Sequence, residues 1–375
     1  TGFGLVVEIV VTSADGTTEI TYTVEAVRVL ARDLIDPTPR ADDRFGHSVA
    51  VLGNGNIVVT DPYDWTGAIQ AGAVHLYNPI VNDTPFASLY GDSVAGLMGV
   101  GGIVVLANDN FVVSSPGGVN SLGTVQLIDG SSGTQIGPTL TAGMPDDFDS
   151  LRIVALPNGN YVVRTTREDV AGVVDPGVVR LFHGTSGLQV GAAFVGDVAG
   201  DRMGGDGIAV LANSNFVLLT PYDDENGIVD AGSARLMSGT TGAPIGPGVV
   251  GDTTRDIDSS WVTELANGRF VLATSCDDEG GIVDAGAVRL FDSTTGAQIG
   301  ATLSGDTADA ELGRGGATAL DNGNYVIKAP RDDVGGVVDA GSVRLISGAT
   351  GAQIGAALVG DTAGDGLGGR VIAVG

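Results

Sequence analysis

Short apolar runs separated by polar turns recur along the chain at a nearly fixed interval. Ile57, Phe111, Tyr161, Phe216, Phe270 and Tyr325 each open such a run, and the steps between them are 54, 50, 55, 54 and 55 residues. A repeat that persists over six copies marks an array of equivalent units, not a string of unrelated domains. Each run follows a turn such as Asn54-Gly55-Asn56, Asn158-Gly159-Asn160 or Asn322-Gly323-Asn324, which suits a tight hairpin with one residue at positive φ. In the fourth copy the pattern predicts four strands, A to D, at 208–211, 216–220, 233–237 and 243–250. Four short strands per unit make a propeller blade. Val162-Val163 and Val217-Leu218-Leu219 place apolar residues on both faces of a strand, as a sheet sandwiched between neighbours requires. A solenoid of the same units is the alternative.

The two ends decide how such an array closes. Val371-Ile372-Ala373-Val374 repeats strand A of the fourth copy, with Ile372 in the place of Ile208. Three strand-like runs near 5–12, 19–24 and 26–31, with a turn at Ala14-Asp15-Gly16, precede the first copy. The expected fold is therefore all-β, a seven-bladed β-propeller of four-stranded antiparallel blades. Residues 44–369 form six tandem blades, 370–375 the innermost strand of a seventh, and 1–43 the strands that complete it. Pairing of the N-terminal strands with the C-terminal one would close the ring and remove exposed sheet edges. The alternative reading of 1–43 is the end of an upstream β-sandwich.

Composition narrows the function classes. The formal charge is −27, Lys328 is the sole lysine, and 61 glycines accompany few aromatics. Such a surface repels nucleic acid and anionic membrane and attracts cations. No apolar run is long enough to insert into a bilayer as a helix. Aspartate far in excess of glutamate fits turn-rich loops and metal sites, and a salt-adapted surface fits it as well. Cys276 is the single cysteine, so an intramolecular disulfide is excluded. The chain opens on Thr1 without an initiator methionine, as expected of a processed product or a piece of a longer protein.

Arg44-Phe45-Gly46-His47-Ser48-Val49, then Asn54 to Pro62, then Gly72-Ala73-Val74-His75-Leu76-Tyr77, resembles the FG-GAP repeat of integrin α-subunit propellers and their bacterial relatives. Pro116, Pro221 and Pro330 keep the proline of the "GAP" element in other copies. The resemblance extends over about residues 44–369. It implies a seven-bladed propeller used for adhesion or ligand binding outside the cell or at its surface. In that family calcium sits in an aspartate-rich loop between strands A and B. Here that loop has shrunk to Asn-Gly-Asn or similar, so those ligands do not carry over.

Carboxylates recur instead between strands B and C. Asp223, Asp224 and Asp230 form one set, Asp277, Asp278 and Asp284 a second, Asp332, Asp333 and Asp339 a third, and Glu168, Asp169 and Asp175 a close variant. Two adjacent carboxylates, a glycine turn and a third carboxylate six positions on could supply much of the oxygen shell of Ca2+. The same residues could equally cap turns and backbone donors. A second acidic series, Asp197 and Asp201, Asp252 and Asp256, Asp306 and Asp309, Asp361 and Asp365, lies between strand D and the next blade, on the same side of an up-and-down sheet. Arg180, Arg235, Arg289 and Arg344 share one column of strand C and are expected to pair with a carboxylate of the adjacent blade.

Blades 1 and 2 break the acidic ring, with Trp65 and Gln70 in one loop and Gly117 to Gly123 replacing the other. Divergence within a repeat is where specific contacts concentrate. Tyr63, Arg167, Tyr222 and Arg331 follow the "GAP" position, with Trp65, Arg164 and Lys328 near them, a mixture of aromatics and cations suited to a partner surface. His47, His75 and His183 are scattered, and no nucleophile elbow, phosphate loop or zinc motif is present. The expected function is a calcium-binding, non-enzymatic module presenting an acidic loop face to a protein or glycan partner. A subunit of a surface filament or layer, with copies of itself as partner, is the alternative, and a carbohydrate-active enzyme a third.

Overall fold

The computed structural model describes residues 4–12, 19–27, 33–117, 122–144 and 147–372, the first two stretches as backbone. Six four-stranded antiparallel sheets follow one another along the chain. Blade 1 runs from Val49–Val51 to Ala87–Tyr90, blade 2 from Ile103–Val105 to Gln135–Thr141, and blade 3 from Arg152–Ala155 to Gln189–Val195. Blade 4 runs from Gly207–Val210 to Pro244–Val250, blade 5 from Ser260–Leu265 to Gln298–Ser304, and blade 6 from Thr318–Ala319 to Leu358–Val359. Each sheet pairs in sequence order, and the first strands of blades 1 and 2, 2 and 3, and 5 and 6 lie side by side. The strands expected in the fourth copy appear within a residue of the sequence reading.

Apolar layers fill the spaces between consecutive sheets. Val58, Val74 and Leu76 of blade 1 meet Phe111, Val113 and Ile128 of blade 2, and the pattern repeats at the next four junctions. In blades 2 to 5 strands B and C are packed on both faces because each of these sheets has two such neighbours, which explains their apolar runs.

The Asn-Gly-Asn turns link the blades as well as reversing the chain. Gly159 sits at φ 84°, a conformation that glycine reaches without strain. Asn158 Oδ1 accepts the Asn160 amide at 3.1 Å, and both asparagine side chains donate to the Gly239 carbonyl in the C–D turn of blade 4, at 2.8 and 2.9 Å. The same bonds join Asn54 and Asn56 to Gly130, Asn108 and Asn110 to Gly184, and Asn213 and Asn215 to Ser293.

At the ends no seventh blade is assembled among the described residues. Residues 4–12 and 19–27 form a hairpin that pairs with itself over nine positions. Among the described residues it forms no ladder with the C-terminal segment. The expected turn at 14–16 and most of the run at 26–31 lie outside the described residues. Val371 and Ile372 are in no strand, and the rest of that expected strand lies outside as well.

Candidate functional site

The B–C and D–A loops gather on one face, and the repeated carboxylates divide into three roles there. The first of each set is buried and bound to the strand C arginine of its own blade. Glu168 meets Arg180 at 2.6 Å, Asp223 meets Arg235 at 3.3 Å, Asp277 meets Arg289 at 2.7 Å and Asp332 meets Arg344 at 3.2 Å. This corrects the expected pairing across blades, since the B–C connection folds back over its own strand C. Only Arg344 also reaches the preceding D–A loop, at Asp306, 3.6 Å away. A hydroxyl completes each pair: Thr165 on Glu168, Ser233 on Asp223, Thr274 on Asp277 and Ser342 on Asp332. Burial pushes the Asp277 carboxyl up even against the opposing pull of Arg289.

The second carboxylate closes the loop. Asp169, Asp224, Asp278 and Asp333 accept the amides of Asp175, Asp230, Asp284 and Asp339 at 2.7 to 2.9 Å. Their own amides point to the preceding D–A loop, onto Asp147, Asp201, Asp256 and Thr307. The third carboxylate stands at positive φ, 47° to 52°, and its backbone carbonyl accepts an amide from the following D–A loop. Gln70 takes that position in blade 1, at φ 52°, with Leu97 as the donor. The third side chains, Asp175, Asp230, Asp284 and Asp339, are those with fewest protein partners.

The residues expected at a partner surface separate. Arg167 and Tyr222 are exposed, and Arg202 stacks 5.5 Å from the Tyr222 ring. Arg331 is exposed and paired with Glu311 at 2.8 Å. Trp65 lies under Arg40 at 3.6 Å, and Tyr63 under Arg44 at 4.6 Å. Arg164, in contrast, turns inward to the carbonyls of Gly204 and Gly205, and half-buried Lys328 lies against Gly315 and Gly368. Arg167 and Arg202 border a cleft of about 440 Å3 with Met144, Asp147, Asp149, Asp169, Val174 and Asp175. Its walls are polar and of both charge signs.

Blade 1 carries a different arrangement that the sequence pattern did not single out. Asp61 ends strand B where blades 3, 4 and 5 have Thr165, Thr220 and Thr274, and His75 occupies the arginine column opposite Val59. Residues 33–46 lie over this blade: Tyr77 Oη donates to the Ile35 carbonyl at 2.7 Å and Phe45 packs on His75 and Tyr77. Burial holds Asp61 up at about 8, helped by Asp43, Asp36 and Asp64, and burial holds His75 down at about 4. Asp36 and Asp43 were missed because they lie before the first copy, where no column marks them.

This architecture defines a repeat protein of β-propeller type. Residues 155–205, 210–252, 264–304 and 319–369 match a family described as "Repeat of unknown function (DUF5650)". The match follows blades 3 to 6 and is to that repeat, not to FG-GAP. No curated protein matches the sequence. Among solved structures, one described as the crystal structure of the eukaryotic initiation factor is 13% identical, with TM-score 0.50, over 94% of this chain and 74% of its own. The β-propeller domain of the Trilobed protease from Pyrococcus furiosus is 9% identical, with TM-score 0.37, over 82% of each chain.

Proposed function

We propose that the chain is an extracellular or cell-surface binding module, calcium-dependent and without catalytic activity, that holds a glycan or protein partner on its loop face. In this reading it is an FG-GAP-like, seven-bladed ring whose last blade is completed by the N-terminal hairpin. The observation that carries the binding role is the mixed-charge cleft around Arg167 and Arg202, placed between the D–A loop that precedes blade 3 and the B–C loop of blade 3. Asp147, Asp149, Asp169 and Asp175 would accept hydroxyls or amides there, and the two arginines would engage acidic groups. The buried Arg–carboxylate pairs beneath it hold the loops in place, so the surface groups are preorganised.

The test is binding of the chain to glycan and peptide arrays in calcium-containing buffer. Arg167→Ala is expected to lower the affinity for whichever probe is retained by at least tenfold, with an unchanged melting temperature. Equal binding by both chains would rule out the cleft as the recognition surface. A second reading, a self-assembling subunit, is favoured by one observation: the outer apolar face of blade 6 is bare, with Leu358 69% exposed.

A further inference from the structure

Comparison of blade 1 with its sister blades reveals a charge imbalance. In blades 3 to 6 the buried loop carboxylate is neutralised by an arginine of strand C. In blade 1 that column holds His75, and the hydroxyl beside it has become a carboxylate, Asp61. One fixed positive charge is lost and one negative charge is added in the same buried place. The N-terminal segment adds two more, since Asp36 and Asp43 bring carboxylate oxygens to within 4.8 Å of those of Asp61 and of one another.

Among the described residues nothing compensates these charges. Asp61 is fully buried, and among the described residues neither of its carboxylate oxygens has a hydrogen-bond partner. An unpaired carboxylate of this kind is among the most unfavourable groups a fold can bury. Nearby Asp64 is already engaged, by the Thr38 hydroxyl and the Thr66 amide, each at 2.6 Å. Among the described residues, Arg40 and Arg44 make no ion pair here and stack on Trp65 and Tyr63. Asp36 accepts the Thr38 amide at 2.8 Å and Asp43 the Arg40 amide at 2.6 Å, which fixes both carboxylates while leaving lone pairs toward Asp61.

We propose that Asp36, Asp43 and Asp61 bind a calcium ion that takes the place of the missing arginine and clamps residues 33–46 onto blade 1. The donor set is all oxygen and becomes triply anionic once a cation displaces the proton of Asp61, which suits a hard divalent cation that completes its shell with water. The proposal rests on the calcium-dependence of the function above and assigns it to a site apart from the repeated loops and the cleft.

The test titrates CaCl2 into chelator-treated full-length chain by calorimetry and follows thermal unfolding with and without calcium. The wild type is expected to bind at this site with a rise in melting temperature, as a ligand of the folded state must produce. Asp61→Thr, which restores the residue of blades 3 to 5, should lose that heat and that rise while melting higher than calcium-free wild type. Asp43→Asn, kinder to the fold, should weaken binding at least tenfold. A wild-type isotherm retained by both variants overturns the site. If Asp230→Asn then abolishes it, calcium lies in the repeated loops and the functional reading survives. No calcium binding by the wild type overturns the site and the calcium-dependence together.

Discussion

At the scale of the residue, the repeat supplies its own reference state. Four blades place an arginine opposite strand B, blade 2 has Gln126 there, and blade 1 has His75. His75 is buried, its Nδ1 shares a 2.8 Å hydrogen bond with Ser88 Oγ, and Nε2 has no partner among the described residues. Desolvation therefore outweighs the attraction of Asp64, and the ring stays neutral down to about pH 4. The unfolded chain takes up the proton near pH 6.5, so between these values it binds more protons than the folded one. The His75 contribution to stability should thus fall as the pH drops from about 6.5 to 4, by on the order of 3 kcal/mol, while Asp61, which keeps its proton in the folded chain up to about pH 8 and loses it in the unfolded one, contributes in the opposite direction over the same range. His75→Gln, the residue of blade 2, should remove that contribution, so that in urea denaturation measured against pH the variant gains stability relative to wild type as the pH falls from about 6.5 to 4. An unchanged slope would mean that carboxylates alone set the acid limit.

At the scale of the element, the sequence announced the A–B turns but not what they hold. Asn160 Nδ2 reaches Gly239 in the next blade while its Oδ1 accepts the Gly184 amide of its own blade at 3.4 Å. Asn160→Ala would strand the Gly184 amide and take one of two donors from the Gly239 carbonyl, which Asn158 still reaches, and is expected to cost about 1 to 3 kcal/mol. In blade 6, Asn324 accepts the Gly348 amide at 3.2 Å, and its amide nitrogen has no partner among the described residues, so Asn324→Ala should cost less. Equal losses in denaturant titrations would deny the cross-blade bond its role. Column periodicity made the strands, turns and recurring carboxylates legible. It did not say which of two carboxylates an arginine would choose, because equivalent columns recur in every blade and only the path of the B–C loop decides. Nor could it reveal Asp36 and Asp43, whose partner Asp61 reads as one more aspartate until its surroundings are known.

At the scale of the whole molecule, the two outer faces of the array remain to be matched. Leu89, Leu140, Phe194, Val249 and Leu303, on the fourth strands of blades 1 to 5, each pack toward the following blade. Leu358 holds the same register opposite Val343, yet it is 69% exposed, and at the other end Val51 of blade 1 is 68% exposed. The hairpin at 4–12 and 19–27, rich in valine and isoleucine, is the part of the chain suited to lie between them as a seventh blade. Leu358→Glu separates the ways of covering this face. If the hairpin covers it, the variant stays monomeric and loses about 2 to 4 kcal/mol, since a carboxylate is then forced into an apolar layer. If a second copy covers it, the wild type self-associates in sedimentation and the variant disperses. A monomeric wild type and a variant of equal stability would leave the face bare in solution and rule out ring closure by the hairpin, because a leucine replaced within a packed layer cannot be neutral.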